Sequence, residues 1–435
     1  MLLEEIIAAQ KRGLARGIPS ICSAHPSVLK EALRLAKSVG TCLIEPTCNQ
    51  VNQYGGYTGM TPAGFVRHVR ALADEVQLPP EGILLGGDHL GPSPWQGEGA
   101  DSAMQHAAVL VRDYAQAGFI KLHLDCSMRL GDDPPGALAA ETSARRAAEL
   151  AGAAEAAHVD GTPHPRYVIG TEVPMPGGAQ EAEAGIAVSA AEEVRKTIDL
   201  TRLAFQRGGL ESAWERVVAI VVQPGVEFGD DFVIPYQPDR GHELSLFIES
   251  QAMIYEAHST DYQTRGALCG LVRDHFAILK VGPALTFAFR EAAFVLAMME
   301  DELMAVGERS NLVHVLDEVM TQHPEHWIRY YRGPAAEQAF RRKFSLSDRL
   351  RYYWPDPQVQ AALARLLKNL SRMPLPLSLL SQFAPRQYEQ VRSGEIAPKP
   401  EALIANRVRD VLLDYEDACG RYPEAPSGKG GPGLA

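Results

Sequence analysis

Short apolar runs alternate with amphipathic or alanine-rich helical segments along about the first 300 residues, and this alternation limits the fold more than any other feature. The apolar runs lie at Gly17 to His25, Cys42 to Glu45, a third opening at Ile83, Phe119 to Asp125, Tyr167 to Glu172, Val217 to Gln223, Ile254 to His258 and Phe276 to Val281. A helical segment follows each. Pro26 opens the first, which runs to about Ser38. Thr61-Pro62 start another by an N-cap and a first-turn proline, with Phe65, Val69, Leu72 and Val76 on one face. Ala100 to Ala117 and Ala137 to His158 are helical, Ser189 and Glu192 form a capping box ahead of Val194, Ile198 and Phe205, and Glu243 to Met253 and Asp261 to Asp274 continue the series. Strands that alternate with helices imply crossover connections and a parallel sheet, and about eight such units predict a closed (β/α)8 TIM-type barrel. An open doubly wound sheet is the alternative, but no GxGxxG follows the first strand.

The pattern stops near Glu300. Val313 to Thr321, Ala339 to Tyr353 and Pro357 to Leu370 read as helices, punctuated by Pro355, Pro374 and Pro376. The expected organisation is therefore a barrel over 1–300, a helical C-terminal extension over 301–422 and a flexible Gly/Pro-rich tail over 423–435. A net charge of -12 argues against nucleic acid as a partner. Six scattered cysteines without a CxxC suit a reducing cytoplasm. The first sixteen residues read as an amphipathic helix, and the apolar segment from Ala284 to Met299 is interrupted by Arg290 and Glu291, so no membrane span is expected.

Chemistry is expected at the C-terminal strand ends, where barrels place their functional groups. Phe119 to Asp125 alternates cleanly, with Ile120, Leu122 and Leu124 set against Lys121, His123 and Asp125. The apolar set should meet the helices, which turns the charged set into the barrel. The same parity turns inward Ser23 and His25, Glu45, Glu172, Gln223, Glu256 and His258, and Lys280. The stretch Leu84-Leu85-Gly86-Gly87-Asp88-His89-Leu90-Gly91-Pro92 adds an acid beside an imidazole where a strand leaves the core, which suits a proton donor next to a metal ligand. Buried charge is costly unless paired or bound to a metal. Histidines and carboxylates without cysteine suit Zn, Mn or Co. The loop Asn49 to Gly59 offers amides, hydroxyls and backbone N–H groups to a polyol or phosphate, and Lys280-Val281-Gly282-Pro283 runs into a helix N-terminus, a common phosphate seat.

Several long motifs carry a family resemblance: Gly17-Ile18-Pro19-Ser20, Glu45 with Asn49 to Gln53, Gly86 to Pro92, Lys121 to Asp125, Ile220 to Phe228, Tyr255 to Thr264, Arg273 to Thr286 and Ser345 to Pro355. Together they resemble the accessory (Z-type) subunit family of class II tagatose-1,6-bisphosphate aldolase. Members of that family are described as aldolase-stabilising subunits or as tagatose-6-phosphate kinases, and relatives act as metal-dependent ketose 4-epimerases. The kinase label suits the chain poorly, because no GxxxxGK[ST] is present. The resemblance implies a sugar phosphate as small-molecule substrate, and a class II catalytic subunit or a second copy of the chain as protein partner. The activity expected from it is 4-epimerisation of tagatose 6-phosphate to fructose 6-phosphate by retro-aldol cleavage and re-addition. The alternative is a non-catalytic stabilising subunit. By analogy with the catalytic subunits, Asp88, with Glu45 or Asp125, would handle protons. His89, His258 and Glu172 would hold the metal, with Asp125 as the alternative carboxylate. His25, Asn49, Gln50, Gln223, Glu256 and Lys280 would contact substrate.

Overall fold

The computed structural model describes residues 2–170 and 186–421. Its centre is a closed barrel of eight parallel strands: β1 (Ile18–Ile21), β2 (Cys42–Ile44), β3 (Ile83–Leu90), β4 (Lys121–Leu124), β5 (Arg166–Ile169), β6 (Val217–Val221), then, past a short antiparallel hairpin β7 (Glu227–Phe228) and β8 (Val233–Ile234), β9 (Ile254–Ala257) and β10 (Phe276–Val281). Barrel order follows the chain, and β10 closes on β1 through the register Ile18↔Ile278 to Ile21↔Val281. The expected barrel is thus present, and the hairpin is an element that the strand pattern did not reveal.

Helices α1 (Leu2–Lys11), α2 (Pro26–Val39), α3 (Pro62–Val76), α4 (Ala100–Gln116), α5 (Ala140–Ala156), α6 (Ala191–Arg207), α7 (Glu211–Trp214), α8 (Pro238–Glu249), α9 (Arg265–Arg273) and α10 (Pro283–Leu303) accompany the strands. Thr61 caps α3 as expected, its side chain accepting from Gly64 N at 3.3 Å. The Ser189–Glu192 capping box does not form. Ala190 is the N-cap of α6, and the Ser189 hydroxyl instead accepts the Gln223 amide at 2.9 Å, which ties the helix to the end of β6. Helix α9 starts at Arg265, behind a Thr264 cap, because Asp261 is committed elsewhere.

Beyond the barrel lie α11 (Leu312–Gln322), α12 (Ala335–Phe344), α13 (Pro357–Leu370), α14 (Leu377–Phe383), α15 (Pro385–Ser393) and α16 (Pro400–Ala418). The stretch Ala339 to Tyr353 is not one helix. It breaks at Ser345 to Asp348, where the Ser345 and Ser347 hydroxyls donate to Asp230 and Asp348 takes φ 46°, and it resumes as a tight turn over Arg349–Tyr353. The nearly all-apolar α10 is covered by α16 and α13, while α16 also packs on α2, α9 and β1. Residues 423–435, expected to be flexible, lie outside the described residues.

The barrel interior is layered by strand parity. Ile18, Leu43, Leu84, Val168, Ile254 and Ile278 form an apolar floor, which Leu3 and Ile6 of α1 join. Two residues further along the same strands come Ser20, Glu45, Gly86, Glu256 and Lys280, and two further still Cys22, Thr47, Asp88, His258 and Gly282. The floor is hydrophobic and the upper storeys are polar.

Candidate functional site

Lys121 on β4 is fully buried, with its Nζ 2.6 Å from Glu45 Oε1 and 2.6 Å from Glu256 Oε2. Both contacts are short ion pairs that lie off the line of a hydrogen bond. Lys280 on β10 pairs with Glu45, with Asp88 Oδ1 at 2.8 Å and with Glu256 Oε1 at 3.4 Å. Ser20 Oγ donates to Glu45 Oε2 at 2.6 Å. Room for the Glu45 carboxylate comes from Gly86: a Cβ there would sit 2.4 Å from Glu45 Oε1.

Above this layer, β3 departs from its alternation. Parity alone would turn Asp88 inward and His89 outward. The β3–β4 register shifts between Gly87 and Leu90, and His89 takes φ 48°, so both side chains reach the mouth. His89 Nδ1 meets Asp125 Oδ2 at 2.8 Å, His123 Nδ1 meets Asp88 Oδ1 at 2.9 Å, and His258 Nε2 meets Glu256 Oε1 at 2.9 Å. The three rings form a triangle with centroids 5.2 Å (His89–His123), 4.9 Å (His89–His258) and 5.1 Å (His123–His258) apart.

Charge at the mouth is set by burial and neighbours. Burial disfavours the Asp88 carboxylate, but His89 and Lys280 outweigh it and hold Asp88 well below the usual carboxylate range. Glu256 is likewise held ionised against its burial by Lys121 and Lys280. Burial pushes His258 down to about 4, past the pull of the Glu256 hydrogen bond, so the ring is neutral near pH 7. His89 moves the other way: burial opposes its charge, but Asp88 and Asp125 raise it. Ligand atoms of Asp88, His123, Glu256 and His258 lie within 4.8 Å of one another, and the buried His123 Nε2 has no hydrogen-bond partner. Ionised carboxylates beside a neutral imidazole and an unused imidazole nitrogen fit a divalent cation.

The structure brings Glu45, Asp88, His89, Asp125, Glu256, His258 and Lys280 together, with Asn49 and Gln50 on the rim. Of the expected ligand trio, His258 belongs to the cation-competent group and His89 stands beside it; Glu172 lies outside the described residues. Two expected contacts are not at this mouth. Gln223 Oε1 is taken by the amides of Gly225 and Val226 at 2.8 and 3.1 Å. His25 caps α2 and packs its ring on Phe289 in a neighbouring cavity. The helix N-terminus after Lys280 is not a vacant phosphate seat either, because Asp261 Oδ1 accepts from Gly282 N at 3.0 Å and Ala284 N at 2.8 Å. Lys121 and His123 belong to the site although the expected catalytic, ligand and substrate sets omitted them; the alternation of β4 was the available signal. Arg351 and Tyr352 also line the mouth, delivered by the turn after α12, and no local pattern foretold that.

The fold and site define a (β/α)8 barrel protein with a buried, cation-competent group of carboxylates and imidazoles at its mouth. No helix among the described residues is long and apolar enough to cross a membrane. Residues 3–420 match the family described as D-tagatose-1,6-bisphosphate aldolase subunit GatZ/KbaZ-like, and the chain belongs to that family. Relatives from Salmonella heidelberg (strain SL476) and Salmonella agona (strain SL483), both described as D-tagatose-1,6-bisphosphate aldolase subunit GatZ, are each 49% identical over 419 residues, covering 96% of this chain and 99% of theirs. The crystal structure of a probable tagatose 6 phosphate kinase from Sinorhizobium meliloti 1021 superposes with a TM-score of 0.86 at 48% identity, over 93% of this chain and 100% of that one. These findings correct the expectation of a 4-epimerase. Relatives matched over nearly the whole chain are described as aldolase subunits, which favours the subunit alternative.

Proposed function

We propose that this chain serves as a subunit of a class II tagatose-1,6-bisphosphate aldolase in the cytoplasm, and that its own barrel mouth binds a divalent cation and a phosphorylated ketose. The subunit role rests on the 49% identity to GatZ subunits over 96% of the chain. The ligand role rests on the grouping of Asp88, His123, Glu256 and His258. These four would hold the cation, which when bound supplies a Lewis acid for sugar carbonyl and hydroxyl oxygens. Lys121 and Lys280 keep Glu256 ionised and fixed beneath it. His89, oriented through Nδ1 by Asp125, presents Nε2 as a group able to take or give a proton at the mouth.

The apolar helix α10 and the aromatic stretch Arg351 to Trp354 are poor candidates for the surface that meets a catalytic subunit. Helix α10 is covered by α13 and α16, and Tyr353 and Trp354 are buried. The test is co-expression with a class II aldolase catalytic subunit. The two chains are expected to co-purify, and the aldolase to keep its activity longer on heating than it does alone. Failure to associate, with no change in aldolase lifetime, would sink the subunit role. A cation content that stays at background after purification without chelator, and after soaking in Zn, Mn or Co, would sink the ligand role.

A further inference from the structure

Beside the mouth lies a second cavity of about 240 Å³, and the two share Cys22, Gln50, Tyr57, Gly282 and Arg351. Among the described residues the second cavity has no carboxylate in its lining, which includes His25, His68, Thr286 and Trp354. Burial holds His25 down at about 3 and lowers His68 as well. Among the described residues Arg351 is therefore the permanent cation of this cavity, and it is a cation of the mouth too.

Among the described residues the other lysine or arginine lining the mouth, Lys280, is spent on Glu45, Asp88 and Glu256. Arg351 is not spent. Among the described residues no carboxylate is in ion-pair contact with it. Its Nη1 donates to the backbone carbonyls of Ser347 and Asp348, and its Nη2 to Tyr352 Oη at 3.1 Å. The nearby Asp348 carboxylate is engaged by Thr286 Oγ1 and faces Arg290 at 3.9 Å. A guanidinium has more N–H donors than these contacts use, and its planar fork matches phosphate oxygens. Asp348 and Asp261 act on Arg351 only from beyond ion-pair contact, so a phosphate at the guanidinium would be its direct counter-ion. Because Asp261 fills the α10 N-terminus, an arriving anion has Arg351 to meet.

We infer that Arg351 anchors the phosphate group of a phosphorylated sugar at the neck between the two cavities, with the sugar's hydroxylated end over the His123–His258 cluster. This deepens the ligand part of the proposed function and rests on it. The residue that selects the phosphate thus comes from the turn after α12 rather than from a barrel strand.

The experiment is calorimetric titration of the full-length protein with tagatose 6-phosphate, tagatose and inorganic phosphate. Wild type is expected to bind the phosphorylated sugar more tightly than the free one, and to bind inorganic phosphate. Arg351→Met is expected to weaken the two phosphate-bearing probes by roughly ten- to a hundredfold and leave tagatose unchanged. Arg351→Lys, which keeps the charge but not the fork, should fall between. A folded Arg351→Met that holds tagatose 6-phosphate as tightly as wild type overturns the inference. So does a wild type that does not discriminate the two sugars or binds neither. Should Arg351→Met fail to fold, wild-type discrimination together with the loss in Arg351→Lys decides. Co-purification with an aldolase and cation content are read separately, so failure here leaves those results standing.

Discussion

Replacing Lys121 by Met keeps the length and most of the volume of the side chain and removes one positive charge from between Glu45 and Glu256. At 2.6 Å each contact is worth roughly 6 kcal/mol of gross Coulomb attraction at an effective dielectric constant of about 20, most of it offset by the cost of burying the ions. The net loss is capped in another way. A stranded carboxylate need not stay charged, because it can take a proton. For Glu256, with an ordinary glutamate value of 4.5, that proton costs about 3.4 kcal/mol at pH 7 but only about 0.7 kcal/mol at pH 5. The folded variant binds one more proton than its unfolded chain between these pH values, so its deficit against wild type shrinks as pH falls. Denaturant unfolding of Lys121→Met and wild type at pH 5 and pH 7 is the assay. The expected deficit is about 3 kcal/mol at pH 7 and about 1 kcal/mol at pH 5. An equal deficit at both values would mean that packing, not charge, was lost, and no deficit at all would mean that Lys121 does not neutralise the pair.

Gly86→Ala places a Cβ 2.4 Å from Glu45 Oε1 and 2.7 Å from Glu45 Cγ, so Glu45 must move off both lysines; a loss of about 1–3 kcal/mol in denaturant unfolding is expected, and an unchanged midpoint would refute the crowding. Glu416 is pushed up to about 7 by burial, only partly countered by Arg421, so the fold loses stability as pH rises from 4.5 through about 7. Glu416→Gln removes that dependence, and its stability relative to wild type should improve by about 2–3 kcal/mol between pH 5 and pH 8; a pH-independent difference would contradict it.

What the sequence made legible follows from which interactions are local. The barrel strands and their inward charges could be read because period-2 alternation and helix caps are encoded within a few residues, as in Lys121-Leu122-His123 and Thr61-Pro62. His89 facing inward could not be read by parity, since it depends on a bulge and a positive φ. Ser189 looked like a cap and instead binds Gln223 across the barrel rim, a tertiary contact that overrides local propensity. Gln223 then spends its own side chain on the turn that follows, which no inward-facing rule anticipates. The grouping of His123 with Asp88, Glu256 and His258, while Asp125 orients His89 beside them, is visible only in three dimensions.

A subunit that only propped up another enzyme would not need this mouth. Filling a barrel with well-packed apolar residues in place of a buried ion network is commonly neutral or stabilising by about 1–4 kcal/mol, so stability alone does not call for Lys121, Lys280 and their carboxylates. The proposed ligand role would, and the two proposed roles should separate on mutation. His258→Gln removes an imidazole from the cation group while leaving α13 and α16 untouched. For wild type, a cation at about 100 times its dissociation constant should add about 2.7 kcal/mol to stability, reversed by EDTA. His258→Gln should lose that increment and its metal content yet still co-purify with the aldolase catalytic subunit. If association were lost together with the metal, the mouth would be part of the interface and the division between holding a ligand and holding a partner would be wrong.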